Sequence, residues 1–120
     1  IKSCYFTGLD DLMELDLSNN LITNLDINVF SNLTKLNDLI LSKNSIKDLD
    51  SNIFTNLNNL FILNLSDNQI ETLSENVFRH LKKLEYVDLG KNKLVSLNSN
   101  IFDDEEARVS TLKLIFNRIE

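Results

Sequence analysis

Leu60-Phe61-Ile62-Leu63-Asn64-Leu65-Ser66-Asp67-Asn68-Gln69-Ile70 decides how this chain folds, because its shape returns four more times. The same phrase is written Leu12-x-x-Leu15-x-Leu17-x-x-Asn20, Leu36-x-x-Leu39-x-Leu41-x-x-Asn44, Leu84-x-x-Val87-x-Leu89-x-x-Asn92 and Val109-x-x-Leu112-x-Leu114-x-x-Asn117. Asn20, Asn44, Asn68 and Asn92 stand 24 residues apart, and Asn117 follows 25 residues later. Two positions beyond each asparagine is an apolar residue: Ile22, Ile46, Ile70, Leu94 and Ile119. Self-similarity at a fixed period of about 20–50 residues is the mark of a solenoid, in which each unit buries its apolar side against its neighbours.

The spacing within the phrase assigns every column a direction. Side chains alternate across a short extended segment, so Leu15 and Leu17, and their equivalents in later repeats, point inward. Successive repeats then lay their strands side by side as a parallel sheet. At the end of each strand the chain must turn, which exposes backbone donors and acceptors. An asparagine amide both donates and accepts, so a stacked column of them can satisfy those groups where leucine, valine or aspartate would fail.

The return half reads Leu-x-x-x-x-Phe-x-x-Leu, as in Leu49 to Leu57. Phe6, Phe30, Phe54, Phe78 and Phe102 occupy one equivalent position, which predicts a stacked aromatic spine on the convex side. Val29, Ile53, Val77 and Ile101 precede the last four, with Tyr5 in the same column. Between leucine and phenylalanine stand Asp50-Ser51-Asn52 and Ser74-Glu75-Asn76, which favour turns and short 3₁₀ pieces over long helices.

In this register residues 1–120 form one array: a partial repeat 1–11, repeats 12–35, 36–59, 60–83 and 84–108, and a partial repeat 109–120. No cysteine-rich cap flanks either end and Ile1-Lys2-Ser3-Cys4 is not a charged-then-apolar leader, so the expectation is a mature or internal segment of a longer, capped horseshoe. The one slip in register falls between Phe102 and Val109, where Asp103-Asp104-Glu105-Glu106 replaces an expected leucine. It reads as an exposed convex loop or short helix, or alternatively as an acidic docking patch or a divergent repeat.

Composition excludes several functions. A net charge of −6 gives no basic footprint for nucleic acid. No apolar run approaches the roughly 18 residues of a membrane-spanning helix, so this segment is not expected to insert directly into a membrane. His80 is the only histidine and sits on the return half, at a solvated position. Cys4 is the only cysteine and falls in the column of Asn28, Asn52, Asn76 and Asn100, far in register from any base that would activate it. With no metal-ligand spacing and no glycine-rich phosphate loop, the chain is expected to be non-enzymatic and to need no cofactor.

What remains is surface. The outward strand positions form two rows, Glu14, Asp38, Ile62, Tyr86, Thr111 and Asp16, Ile40, Asn64, Asp88, Lys113. A third row, Ser18, Ser42, Ser66, Gly90, Ile115, is mostly small and leaves the face open. Ile40, Ile62 and Tyr86, with Phe61 at the strand edge, are expected to make an apolar patch rimmed by carboxylates, Asp38 and Asp88 among them. Such a surface suits a protein ligand. Two glycosylation sequons, Asn32-Leu33-Thr34 and Asn64-Leu65-Ser66, accord with secretion, and a glycan on Asn64 would crowd this face.

By its repeat phrase the chain resembles the typical 24-residue leucine-rich repeats of animal extracellular proteins, among them Toll and Toll-like receptor ectodomains, Slit-like guidance proteins, small leucine-rich proteoglycans and secreted insect immune proteins. The Phe-x-x-Leu return half favours that class, although Asp26, Asp50, Ser74 and Asn98 stand where many of its members carry proline. The resemblance implies a leucine-rich repeat solenoid of the α/β horseshoe class, with short parallel strands on the concave face and turns and short 3₁₀ pieces on the convex face. It implies an extracellular or cell-surface recognition module from a receptor or secreted innate-immune protein, able to form homo- or hetero-oligomers with other leucine-rich repeat chains. The alternatives are a structural, adhesive or self-assembling protein, and an intracellular interaction scaffold. The motif specifies scaffold, so no ligand-contacting residue carries over from the family.

Overall fold

The computed structural model describes residues 1–102 and 108–120; the acidic run of the register slip lies outside them. Five three-residue strands, β1 (Glu14–Asp16), β2 (Asp38–Ile40), β3 (Ile62–Asn64), β4 (Tyr86–Asp88) and β5 (Thr111–Lys113), form one sheet in sequence order. Every neighbouring pair is parallel and in the register of the repeat, with Leu15, Leu39, Leu63, Val87 and Leu112 aligned. The strands are short because the chain turns within a few residues of the inward pair, such as Leu63 and Leu65.

Beyond each strand, Asn19, Lys43, Asp67, Lys91 and Phe116 adopt left-handed backbone with φ between 53° and 59°. That conformation aims the N–H of Asn19, Lys43, Asp67 and Lys91 at the carbonyl of the next repeat's Ser42, Ser66, Gly90 and Ile115, at 2.8–3.1 Å. Asparagine and aspartate tolerate this region best and a bulky residue such as Phe116 least. The bend is therefore imposed by the repeat rather than chosen by the residue.

The asparagine column does the work its chemistry suggests. Asn68 Nδ2 donates to the carbonyls of Leu41 (2.9 Å), Leu65 (3.1 Å) and Ser66 (3.2 Å), and its Oδ1 accepts the Ile46 N–H at 3.0 Å. Asn44 and Asn92 repeat this pattern, and all three side chains are buried. Each asparagine thus staples its own turn to the preceding repeat. Among the described residues, no buried side-chain polar atom lacks a hydrogen-bond partner.

Return segments descend through turns, in which N–H groups bond to carbonyls three residues back, as in Leu33 to Phe30 and Leu57 to Phe54. One 3₁₀ helix, Ser3–Phe6, is present, and the described residues contain no α-helix. Asp26, Asp50 and Asn98 accept the N–H two residues on, at 2.8–2.9 Å. The descent thus starts from a side-chain cap. The five phenylalanines stack in sequence order with ring centroids 5.3–6.4 Å apart and planes 13–24° from parallel. Phe30, Phe54 and Phe78 are buried in the continuous core of leucine, isoleucine and valine that runs the length of the stack. Tyr5, one column away, is largely exposed.

Candidate functional site

The outward sheet face is built by strand register. Glu14 lies beside Asp38, Asp38 beside Ile62, Ile62 beside Tyr86, and Tyr86 beside Thr111. In the second row Asp16, Ile40, Asn64, Asp88 and Lys113 follow one another. Ile62 and Tyr86 are therefore direct neighbours, spaced as parallel strands are at about 4.8 Å, and Ile40 is diagonal to Ile62 within reach of it. All three are half-buried, while Phe61, just before β3, is 43% exposed. Sequence register and structure agree on which residues share this face.

Hydrogen bonding divides the polar members into two kinds. Asp16 Oδ1 accepts the Ser18 N–H at 2.8 Å, Asn64 Oδ1 accepts both N–H and hydroxyl of Ser66, and Asp88 Oδ1 accepts the Gly90 N–H at 2.9 Å. These are caps that close the strand into its turn. Bonds from Ser18 hold the Asp16 carboxyl below its ordinary pKa. Asp88 is additionally approached by the Tyr86 hydroxyl at 3.4 Å, so it has structural duties that the sequence reading, which placed it on a binding rim, did not foresee. Ile40, in the same row, carries no such cap and is free to be apolar.

Tyr86 is also engaged from its far side. Lys113 Nζ lies 5.2 Å from the centre of the ring, a cation–π distance, and the Tyr86 hydroxyl is the main reason its ammonium is held above the ordinary lysine pKa. Next to it, Gly90 is small for a reason: a Cβ there would lie 3.3 Å from the Ile115 side chain and 3.0 Å from the Asp88 carboxylate. The open third row thus closes at its end, where bulky Ile115 replaces serine.

One feature escaped the column reading. Where the chain enters the strands, Met13, Glu14, Asn37, Asp38, Asn59, Phe61 and Lys83 line a cleft of about 340 Å³ along the edge of the sheet. Phe61 and Met13 face outward there because the residue before each strand gives its carbonyl to the next repeat: Met13 to Asn37 and Asp38, Phe61 to Glu85 and Tyr86. Its flank is laced by Lys35 to Asp11 at 2.6 Å and by Lys83 to Asn59 at 2.7 Å. Lys35 holds the Asp11 carboxyl below its ordinary range. A column of Asp11, Lys35, Asn59 and Lys83 at 24-residue spacing was the available signal in the sequence.

Of the sequon asparagines, Asn32 is exposed on the return side and Asn64 is half-buried on the sheet face. His80 and Cys4 are both exposed. Among the described residues, no group of three or more histidine, cysteine or acidic side chains is arranged to hold a metal ion. No helix among them is long and apolar enough to cross a membrane.

Comparison with known proteins matches this geometry. A crystal structure of the leucine-rich repeat domain of APL1B superposes with a TM-score of 0.86 over 98% of this chain and 34% of that one, at 24% identity. A leucine-rich repeat protein of Leptospira interrogans superposes with a TM-score of 0.79 over 91% of this chain and 26% of its own, at 32% identity. The chain thus spans about a third or less of these two solved structures. No curated protein matches it significantly in sequence. The leucine-rich repeat family model matches at residues 1–46, 34–94 and 62–119. With the family pattern running from end to end and the solenoid built as that pattern requires, the chain belongs to the leucine-rich repeat family, whose domains generally act as protein-interaction modules.

Proposed function

We propose that the chain is the recognition segment of a receptor ectodomain or secreted innate-immune protein, and that it binds a protein ligand on its outward sheet face. The observation that carries this is the alignment of Ile62 with Tyr86, with Ile40 diagonal to Ile62, on strands whose other outward members are polar. A half-buried aromatic and two isoleucines in contact range, with Phe61 exposed at the strand edge, supply the desolvated centre that interfaces need. Of Asp38 and Asp88, Asp38 is the carboxylate without a capping bond and the better candidate for ligand contact; Asp88 contributes by holding Tyr86. The repeat scaffold keeps these side chains on rigid strands, so little order is lost on binding.

Photocrosslinking tests this reading. A p-benzoylphenylalanine placed at Ile62 should trap a protein partner in source material, whereas the same group at convex Asn52 should not. Equal trapping at both positions, or trapping only of further copies of this chain, would sink the assignment.

The extracellular setting is proposed on the resemblance and the two sequons. Expression through a secretory pathway should leave a glycan on exposed Asn32, read as a mass shift removed by Asn32→Gln. A chain recovered from that pathway without glycan on Asn32 or Asn64 would count against it. If Asn64 is also occupied, the ligand contacts move from the centre of the face toward Phe61.

A further inference from the structure

From the cleft at the entry edge of the sheet we infer that the ligand is anchored there by an arginine side chain, so that Met13, Phe61, Glu14 and Asp38 form its socket. This rests on the sheet-face reading for its biological use, since the cleft opens beside that face and shares Phe61 and Asp38 with it.

The shape and chemistry of the cleft carry the inference. Its apolar lining is Phe61, 43% exposed, and Met13, 56% exposed, a flat ring and a flexible thioether of the kind on which a long side chain lies. Glu14 and Asp38 are register partners on adjacent strands, so their carboxylates come from backbone positions about 4.8 Å apart. A guanidinium fork spans two acceptors at such spacing, stacks on an aromatic face and is weakly hydrated. Lysine offers a point charge and no fork.

The local charges leave those carboxylates available. Lys35 is committed to Asp11 at 2.6 Å; Lys83, which also lines the cleft, donates to the neutral Asn59 amide at 2.7 Å and makes no ion pair with Glu14 or Asp38. Among the described residues Glu14 and Asp38 have no ion-pair partner. Along the outward rows no basic residue appears before Lys113, which sits over Tyr86 at the opposite end. With a net charge of −6 on the whole chain, approach of a cationic segment is favoured at long range as well.

The test uses N-acetyl-arginine N-methylamide as probe and its citrulline counterpart as the neutral isostere. In two-dimensional amide spectra of the chain, the arginine probe should shift the N–H signals of Asn37, Asp38, Phe61 and Ile62 and saturate in the millimolar range. Citrulline should bind at least tenfold more weakly. Asp38→Asn and Phe61→Ala should each weaken the arginine probe at least fivefold, whereas Asp48→Asn, an exposed acid elsewhere, should leave it unchanged. Shifts that never saturate, that citrulline reproduces, or that survive both cleft variants would overturn the inference. If the probe fails while the crosslinked partner still depends on Tyr86, the socket is wrong and the face reading stands. Saturable arginine binding with a partner indifferent to Tyr86 and Ile62 would leave the socket and remove the face.

Discussion

Replacing Asn68 with alanine should lower the unfolding free energy by about 1–3 kcal/mol, the cost of stranding a buried backbone group. The bond pattern says which group decides. The carbonyls of Leu41 and Leu65 each accept from two asparagines, so Asn44 and Asn92 still serve them when Asn68 is gone. The Ile46 N–H is left without its acceptor, since it donates to Asn68 Oδ1. Asn68→Asp keeps that acceptor but turns a second oxygen toward the carbonyls of Leu41, Leu65 and Ser66, where an amide donor had been. A buried charge facing like dipoles should cost more than the alanine change, on the order of 3–5 kcal/mol at neutral pH. The folded pKa of that carboxyl is raised above its unfolded value, so the folded state binds the proton more tightly. The deficit of Asn68→Asp therefore shrinks as the pH falls toward the ordinary carboxylate range, while that of Asn68→Ala does not. Urea melts of both variants at neutral and mildly acidic pH read the difference. Asn20→Ala is the control: its side chain is exposed and bonds only within its own turn, to Leu17 and Ser18, so its loss should stay below about 1 kcal/mol.

Phe54→Ala is expected to destabilise by about 3–5 kcal/mol, the range for emptying a buried aromatic site. Phe54 is 1% exposed and lies between Phe30 and Phe78, with centroids 6.4 Å and 6.2 Å away. Its removal costs the apolar burial, leaves a void, and interrupts two ring pairs worth roughly 0.5–1.5 kcal/mol each beyond their area. Collapse cannot fill the gap, because the neighbouring rings are fixed by turns of their own repeats. Phe54→Leu should recover part of the loss. The half-buried Phe102 sets the contrast: Phe102→Ala should cost clearly less in the same denaturant series.

The sheet, its register and the core were legible in the sequence because each rests on a 24-residue recurrence that slips by one residue only before the last repeat. Leu63, Asn68 and Phe54 could be assigned inside, turn and spine without coordinates, and the outward rows followed from alternation. Two things were not legible. Capping is one: Asp88 looked like a surface carboxylate of the same kind as Asp38, yet bonding to Gly90 and Tyr86 makes it part of the frame. Outward position does not distinguish the two, since the difference is a local bond to the second residue along. The entry-edge cleft is the other. Its walls come from three repeats and from several columns of mixed residue types, Met13-Asn37-Phe61 and Asn59-Lys83 among them, so neither column alone announces the cleft. The left-handed column from Asn19 to Phe116 was hidden for a similar reason, since lysine and phenylalanine do not advertise that conformation.

The central claim is that side chains between the leucines of β3 and β4 carry the binding energy. It is tested most directly by the affinity of the partner trapped at Ile62, measured against Tyr86→Ala and Ile62→Asp with unfolding curves recorded alongside. Hot-spot side chains are worth about 2 kcal/mol or more, so each variant should weaken binding at least about thirtyfold while the fold is retained. Affinity within twofold of the parent chain in both variants, with unfolding unchanged, would contradict the account.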